Sequence, residues 1–379
     1  VYISRLRLTD FRSYESVDLV LRPGTTVFLG PNGYGKTNLV EAVHFLATLG
    51  SHRVAADQPL VRAGCDTATV AAIVRAGADD DRSLSLAIDI NKTGANRAQL
   101  NKAPVRVRDV VGSVRTVFFA PEDLAIVTGD PGGRREFIDE VVTSRWPRLV
   151  QVLSEYDRAL RQKTALLKAL SGRSGRSAGA EADQTLDTWS TLLADLGAQI
   201  VAARLCTLLD LAPLIATNYD AIAPVASAAG AVYQSSSVEP GTPPEIDDIR
   251  DLLNQRMAER RGEEIARGVC LTGPHRDDIA LSLGDLPVRG YASHGEGWSF
   301  ALALRLASLD LLHADGVDPI LILDDVFAEL DEQRRSRVVA AMESVEQTLV
   351  TAAVRRDLPD NLAGTIFEVE RGYVRQAGS

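Results

Sequence analysis

The chain has 379 residues, 45% of them hydrophobic and 24% charged, with a net charge of −10; this is the balance of a soluble globular protein long enough for two or three domains. Cys65, Cys206 and Cys270 form no CxxC pair and cannot close a disulfide framework, which fits a reducing, cytoplasmic compartment. No stretch approaches the ~20 apolar residues of a membrane span, the N-terminal segment reads as a strand and not as a signal peptide, and the acidic balance argues against tight nonspecific coating of duplex DNA by a monomer while leaving room for a local basic face.

Tyr2–Leu8 alternates apolar and polar residues and predicts a strand, and Val17, Leu19 and Leu21 mark a second. Thr25–Leu29 is a short apolar run, a buried strand, followed by a Gly-rich turn over Gly30–Thr37 and a helical run to Leu49. Short alternating runs at Thr69–Arg75, Ser83–Ile90 and Arg97–Leu100, with a turn at Asn91–Gly94, predict an antiparallel sheet. Beyond Pro131–Gly133 the texture becomes helical. Leu149, Leu153, Tyr156, Leu160, Leu167 and Leu170 form a seam that only Lys163 breaks, and Leu186, Trp189, Leu193, Leu196, Ile200 and Ala203 form another. With the soft connector Ser171–Gly179 between them, the two read either as an antiparallel helical hairpin or as two ordinary amphipathic helices on a globular lobe. Gln234–Pro244 is a loop, Ile246–Arg267 a charged helix, Trp298–His313 a long apolar helix, and Pro319–Leu323 a buried strand. The outer segments are therefore α/β and the middle is helical. The expected organisation is residues 1–133 and 268–379 as the two halves of one domain, with 134–267 inserted between them.

Gly30-Pro31-Asn32-Gly33-Tyr34-Gly35-Lys36-Thr37 fits G-x-x-x-x-G-K-[ST] without mismatch, between a strand and a helix. Its glycines let backbone N–H groups wrap a phosphate at a positive helix end. Lys36 is expected to reach the β- and γ-phosphates, and Thr37 to hold Mg²⁺. Ile320–Leu323 ends in Asp324 and Asp325. In a P-loop ATPase the first carboxylate joins the Mg²⁺ shell, and the second is placed to orient or deprotonate the attacking water. Lys36 and Asp324 lie much further apart than the ~30 residues of a βαβ unit, so a large insertion divides the site. Ala292-Ser293-His294-Gly295-Glu296-Gly297 opens the apolar helix, where Ser293 is either a plain N-cap or an anion site.

Together these pieces resemble the ATP-binding-cassette ATPases, whose LSGGQ-type signature precedes the Walker B strand in the same way. Ser293, Gly295 and Glu296 fall on its Ser, second Gly and Gln, while His294, Gly297 and Trp298 depart from it. Asp10-Phe-Arg-Ser-Tyr14 resembles the opening strand-turn of heads similar to those of structural-maintenance-of-chromosomes (SMC) proteins. Thr272–Asp278 (TGPHRDD), Phe119–Leu124, Gly132–Arg135 and Asp324–Asp331 resemble the RecF family of recombination mediators. The likeness runs in order from Tyr2 to about Val354, with the helical middle alike only in texture.

The resemblance implies an ABC-type P-loop ATPase head, a mixed sheet with an antiparallel β-subdomain, carrying an inserted α-helical lobe. It implies ATP and Mg²⁺ as cofactors, an ATP-dependent homodimer on single-stranded or gapped DNA, slow DNA-stimulated hydrolysis, and support of recombinase loading and SOS induction in gap repair and replication restart. It also implies a RecR-type mediator as partner, no membrane, and a cytoplasmic, nucleoid-associated location. Gly30 to Thr37 and Asn38 take the Walker A role, Arg12 of the opening turn joins the nucleotide contacts, and Asp324 with Thr37 takes the metal. Asp325 and Lys36 are catalytic, Ser293 and Gly295 meet the nucleotide across the dimer, and Glu329–Asp331 form the D-loop. Thr351 stands where other cassette ATPases place a His, and no Gln marks a Q-loop, for which Glu122 is the stand-in. The alternatives are a non-hydrolysing ATP-gated DNA-binding module, the ATPase subunit of another cassette system, or a P-loop kinase, in which a signature serine has no task.

Arg53 could face nucleotide or DNA, or cap the surface. Arg134 and Arg135 are either DNA contacts or a solvated charge pair. The run Arg158, Arg161, Lys163, Lys168, Arg173 and Arg176 is the candidate DNA- or protein-facing edge. His275 with Asp277 and Asp278 lacks a second His or Cys at ligand spacing, which disfavours a metal site.

Overall fold

The structure, a computed structural model, describes residues 1–54, 56–171, 180–223, 228–235, 238, 245–359 and 362–377. In chain order the first segment carries β1 (Tyr2–Phe11), β2 (Tyr14–Val20), β3 (Gly24–Leu29), α1 (Lys36–Thr48), β4 (Thr67–Gly77), β5 (Asp80–Asn91), β6 (Arg97–Leu100), β7 (Ala103–Val105) and β8 (Thr116–Phe119). The middle carries α2 (Leu124–Thr128), α3 (Pro131–Arg145), α4 (Leu149–Ser171), α5 (Ala180–Ile222), β9 (Ala229–Gln234), α6 (Ile246–Arg267), β10 (Asp278–Leu283) and β11 (Leu286–Pro287). The last segment carries α7 (His294–Ala314), β12 (Ile320–Asp324), α8 (Glu332–Glu343), β13 (Gln347–Ala352), β14 (Thr365–Glu370) and β15 (Tyr373–Gln376).

These elements gather into two compact units. The first holds residues 1–124, 221–224 and 298–379, and the second 125–220 and 225–297. Residues 268–297, expected with the ATPase half, belong instead to the helical unit. The reason lies in their pairing: β10 is antiparallel to β9, and Arg134 of α3 holds Asp278 in a bidentate ion pair.

In the first unit, β4, β5 and β6, the runs read as an antiparallel sheet, lie in the six-stranded antiparallel order β2-β1-β4-β5-β6-β7, so the two opening strands join them. The second sheet, β15-β14-β3-β13-β12-β8, has a parallel core. Its strands β8, β12 and β13 are buried along their whole length, as strands covered on both faces are. Leu39, Val43 and Phe45 of α1 share one core with Leu6, Leu8 and Val70 of the first sheet and with Phe28, Ile322 and Leu349 of the second. The register sets Leu323 of β12 beside Val350 of β13, and Ala352 of β13 beside Leu29 of β3. The strand ends that carry chemistry thus lie at one edge, as expected where parallel strands deliver their C-terminal residues to a crevice.

In the second unit, α4, α5 and α6 pack through Tyr156, Leu193, Leu196, Ile200 and Met257, and again through Leu167, Leu170, Leu186 and Cys270. Both predicted seams are therefore core. The predicted connector falls almost wholly on residues 172–179, outside the described residues, as do Arg173, Arg176 and most of the Gln234–Pro244 loop. Lys163 does not belong to an exposed basic edge. It is buried, 2.8 Å from buried Glu264 of α6, where the pair satisfies what would otherwise be a costly lone charge. The helix Glu181–Ile222 holds a window of mean hydropathy 1.7, long and apolar enough to cross a bilayer by length and composition alone, and half of that window is packed inside the protein. The expectation that no stretch approaches a span in length and composition is corrected to that extent.

Candidate nucleotide-binding site

β3 and α1 are joined by Gly30–Gly35, a loop that has no room for a side chain at either end. Gly35 is left-handed at φ +105, and a Cβ there would stand 2.8 Å from both the Ser13 and Tyr14 side-chain oxygens. A Cβ on Gly30 would meet the Val369 carbonyl oxygen at 2.3 Å. The loop begins with Gly30 N–H donating to the Ala352 carbonyl at the end of β13, and turns where Tyr34 N–H donates to the Pro31 carbonyl. The Tyr34 ring lies 5.5 Å from the Arg371 guanidinium.

Lys36, the first residue of α1, is buried. Its Nζ donates to Asn32 Oδ1 at 3.1 Å and stands 3.7 Å from Asp325 Oδ2. Thr37 Oγ1 donates to Asp324 Oδ1 at 3.0 Å, although the two residues are 287 apart in the chain. The strand order explains the meeting, since β13 separates β3 from β12 and all three run parallel. Thr351, at the end of β13, donates through Oγ1 to the same Asp324 Oδ1 at 2.6 Å and accepts the Asp325 N–H at 2.9 Å. Asp325 sits in the left-handed region at φ 51, a conformation that non-glycine residues seldom hold without support. Burial pushes the Asp324 carboxyl up to about 6, opposed by the hydroxyls of Thr351 and Thr37 and reinforced by the neighbouring Asp325 and Glu122. Glu122 follows β8, whose Phe119 is in register with Leu323, and so stands near the crevice.

The opening turn supports the loop from behind. Tyr14 donates its hydroxyl to the Gly35 carbonyl at 3.1 Å, and Ser13 Oγ accepts from Asn38 Nδ2 at 2.9 Å. Arg12, the nucleotide contact expected from the opening turn, is anchored to α1. Its guanidinium makes a bidentate pair with fully buried Glu41 of α1, at 2.9 and 2.6 Å, and donates to the Pro59 carbonyl. Glu41 keeps its carboxyl below the usual range, because Arg12 and Ser51 outweigh burial. Arg53 donates to Asn38 Oδ1 at 3.1 Å, beside the P-loop. Within α1, His44 bonds Thr116 Oγ1 at 3.0 Å and packs on Phe118, as does His52 beyond the helix. Burial drives the two imidazoles down to about 3 and about 4.

In the helical unit, Ser293 and Glu296 form a reciprocal capping box at the start of α7. Glu296 N–H donates to Ser293 Oγ at 3.3 Å, and Ser293 N–H donates to Glu296 Oε2 at 2.8 Å. Ser293 is exposed, and Gly295, partly buried, lies in the first turn. In the D-loop segment, Asp331 caps α8 through the Arg334 N–H, and Arg334 reaches Ser299. Arg134, read from sequence as a DNA contact or a solvated charge, is buried and donates to Asp278 and to the carbonyls of Ile126 and Gly129. Arg135 donates to the Asp277 carbonyl. His275 bonds Tyr156 and Asp277 accepts from Tyr233, and no metal-ligating group of three His, Cys, Asp or Glu occurs among the described residues.

The sequence reading missed Thr351 as a bridge, Glu41 as the partner of Arg12, and Tyr14 as the prop of Gly35. The first left one trace, a hydroxyl residue ending an apolar run (Thr348–Thr351) downstream of the Asp-Asp pair.

The family described as RecF/RecN/SMC N terminal domain matches residues 2–369. The chain belongs to the RecF family. It is 50% identical to the DNA replication and repair protein RecF of Cutibacterium acnes, over 99% of this chain and 98% of that protein. It is also 50% identical to RecF of Streptomyces avermitilis, over 99% of this chain and all of that one. A solved structure of the recombination mediator protein RecF with ATP, in the RecFOR pathway, superposes with a TM-score of 0.88 at 25% identity, covering 100% of this chain and 98% of that one. An SMC head bound to the C-terminal winged-helix domain of ScpA superposes with a TM-score of 0.55 at 16% identity, covering 100% and 97%, and shares the fold. The RecF/SMC-head architecture, mixed α/β with a helical insert, is thus the architecture of this chain.

Proposed function

We propose that this RecF-family ATPase binds ATP between two copies of itself on gapped DNA and uses slow hydrolysis to let go, as a recombination mediator of the RecFOR type acting in the bacterial cytoplasm. The observation that carries the reading is the hydrogen bond between Thr37 and Asp324 with Lys36 beside Asp325, which unites two distant motifs in one crevice. Lys36 presents its ammonium to the β- and γ-phosphates, and the N–H groups of Gly33 to Thr37 wrap them. Thr37 Oγ1 and Asp324 Oδ1 are two hard oxygens of the kind Mg²⁺ takes, so the donor set fits that ion. Bound there, Mg²⁺ would supply charge neutralisation on the phosphates. Asp325 orients the attacking water and accepts its proton. Ser293 meets the γ-phosphate of the partner copy, and Arg158, Arg161 and Lys168, exposed along α4, offer charge to DNA phosphates. A RecR-type mediator remains the expected protein partner.

The test is binding of a fluorescent ATP analogue to the parent and to Lys36→Ala. Affinity is expected to fall at least tenfold in the variant, and undiminished binding and turnover would remove the assignment. Adding gapped DNA with ATP or ADP, with mass followed by light scattering, tests the clamp. A mass that ignores ATP contradicts it.

A further inference from the structure

We infer that Thr351 is a positioning residue for hydrolysis, a hydroxyl that fixes the metal-side and water-side carboxylates against each other. The inference rests on the nucleotide-site reading above and goes beyond it by assigning the end of β13 a task.

Thr351 is buried, at 1% exposure. Its Oγ1 makes two bonds of opposite sense: it donates to Asp324 Oδ1 at 2.6 Å and accepts from the Asp325 backbone N–H at 2.9 Å. A hydroxyl has one proton and two lone pairs, so it can serve both at once. The first bond sets the rotamer of Asp324. The second holds the backbone of Asp325 in its left-handed conformation at φ 51, which aims the carboxylate toward Lys36. Asp324 Oδ1 also accepts from Thr37. If the Thr37 hydroxyl turns to a metal ion, Thr351 still holds Asp324, so the two hydroxyls are not redundant. Valine matches threonine in shape but can neither donate nor accept. It would leave the Asp325 N–H without its acceptor and free the Asp324 rotamer. Serine retains both functions.

Groups that hold a metal-ligating carboxylate typically contribute ~10–100-fold to metal affinity or activity. Thr351→Val is therefore expected to lower kcat for ATP hydrolysis by about 10–100-fold, with affinity for an ATP analogue in EDTA unchanged. The extra affinity gained on adding Mg²⁺ should shrink, because Asp324 is no longer held. Thr351→Ser is expected to recover kcat to within about threefold of the parent, as the hydroxyl is what matters. A cooperative thermal transition in each variant confirms that the fold is retained. If Thr351→Val does not fold, Thr351→Cys, which keeps the volume but bonds weakly, takes its place with the same expectation.

Parental kcat and parental Mg²⁺ dependence in the variant without the hydroxyl would overturn the assignment. Equal loss in Thr351→Ser would also overturn it, since shape and not hydrogen bonding would then be responsible. Lys36→Ala separates the two levels of the reading. If Lys36→Ala binds ATP like the parent, the nucleotide site itself is wrong and Thr351 falls with it. If Lys36→Ala loses ATP while Thr351→Val hydrolyses normally, the Thr351 assignment alone is wrong.

Discussion

The hydroxyl of Tyr14 donates to the carbonyl of Gly35 at 3.1 Å, and this bond ties the first antiparallel hairpin to the last residue before α1. The P-loop is thereby held by a residue two strands away, and Gly35 can be nothing larger without displacing it. Tyr14→Phe keeps the buried ring and removes the bond. Stability should fall by about 1 kcal/mol and ATP affinity by a few fold, measured by urea unfolding and analogue titration. An unchanged affinity would make the contact purely structural.

Asp325→Asn is expected to bind ATP as well as the parent and to hydrolyse it ~10²–10⁴-fold more slowly, because a carboxamide cannot accept the proton of water. Light scattering should then show the ATP-bound dimer persisting. Turnover at the parental rate would exclude Asp325 as the base.

Ser293→Arg is expected to block ATP-driven dimerisation while analogue affinity in the single chain stays near parental. The residue is exposed at the start of α7, and a long side chain there fills the approach of a partner's phosphate. Ser293→Ala removes only the cap and should cost about 1 kcal/mol of stability. If Ser293→Arg dimerises normally with ATP, the capping box with Glu296 is the whole role of Ser293.

Arginines of the helical unit should separate into two kinds. Arg134→Ala leaves Asp278 and two carbonyls without their donor and is expected to cost about 3 kcal/mol in chemical unfolding. Arg158→Gln and Arg161→Gln should leave stability within about 0.5 kcal/mol while each reduces the salt slope of DNA binding by ~1. The reverse pattern would return Arg134 to the DNA surface.

Stability should carry the mark of buried neutral His44. Its pKa is about 3 in the fold, against an ordinary 6.5, so the unfolded chain binds one more proton between those values. Stability contributed by keeping the ring neutral is present above pH 6.5 and is lost as pH falls, at about 1.4 kcal/mol per pH unit. Asp277 and Asp324, both raised to about 6, act in the opposite sense between their ordinary 3.8 and 6. Comparison with His44→Gln isolates the imidazole: unfolding free energies at pH 7 and pH 5 should lie closer together in the variant, by about 2 kcal/mol. Parallel pH profiles would contradict a buried neutral ring.

Those features that depend on local spacing are legible in the sequence itself. The Gly30–Thr37 loop needs its glycines in fixed order between a strand and a helix, and Asp324 ends an apolar run that announces a buried strand. Both stand in the structure where the pattern puts them. The ion pairs were not readable, because their halves lie far apart in the chain. Lys163 meets Glu264, and Arg134 meets Asp278, 144 residues on. A charge in isolation reads as solvated, so both seemed surface features, and Glu41 left no mark in the sequence as the partner of Arg12. Thr351 had no visible role for the same reason: its value comes from the neighbour that strand order gives it.

That strand order also has a consequence for biogenesis. β3 leaves the ribosome long before its two neighbours in the sheet, β13 and β14, which are formed by residues 347–352 and 365–370. Both edges of this apolar strand must therefore wait until the helical middle and β12 have been made, and such long-range pairing is slow and exposed to misassociation. A nascent chain halted before residue 347 would display the entire P-loop sequence with neither flanking strand in place and with Thr351 not yet made. The crevice that unites Thr37 with Asp324 is thus completed in one late step.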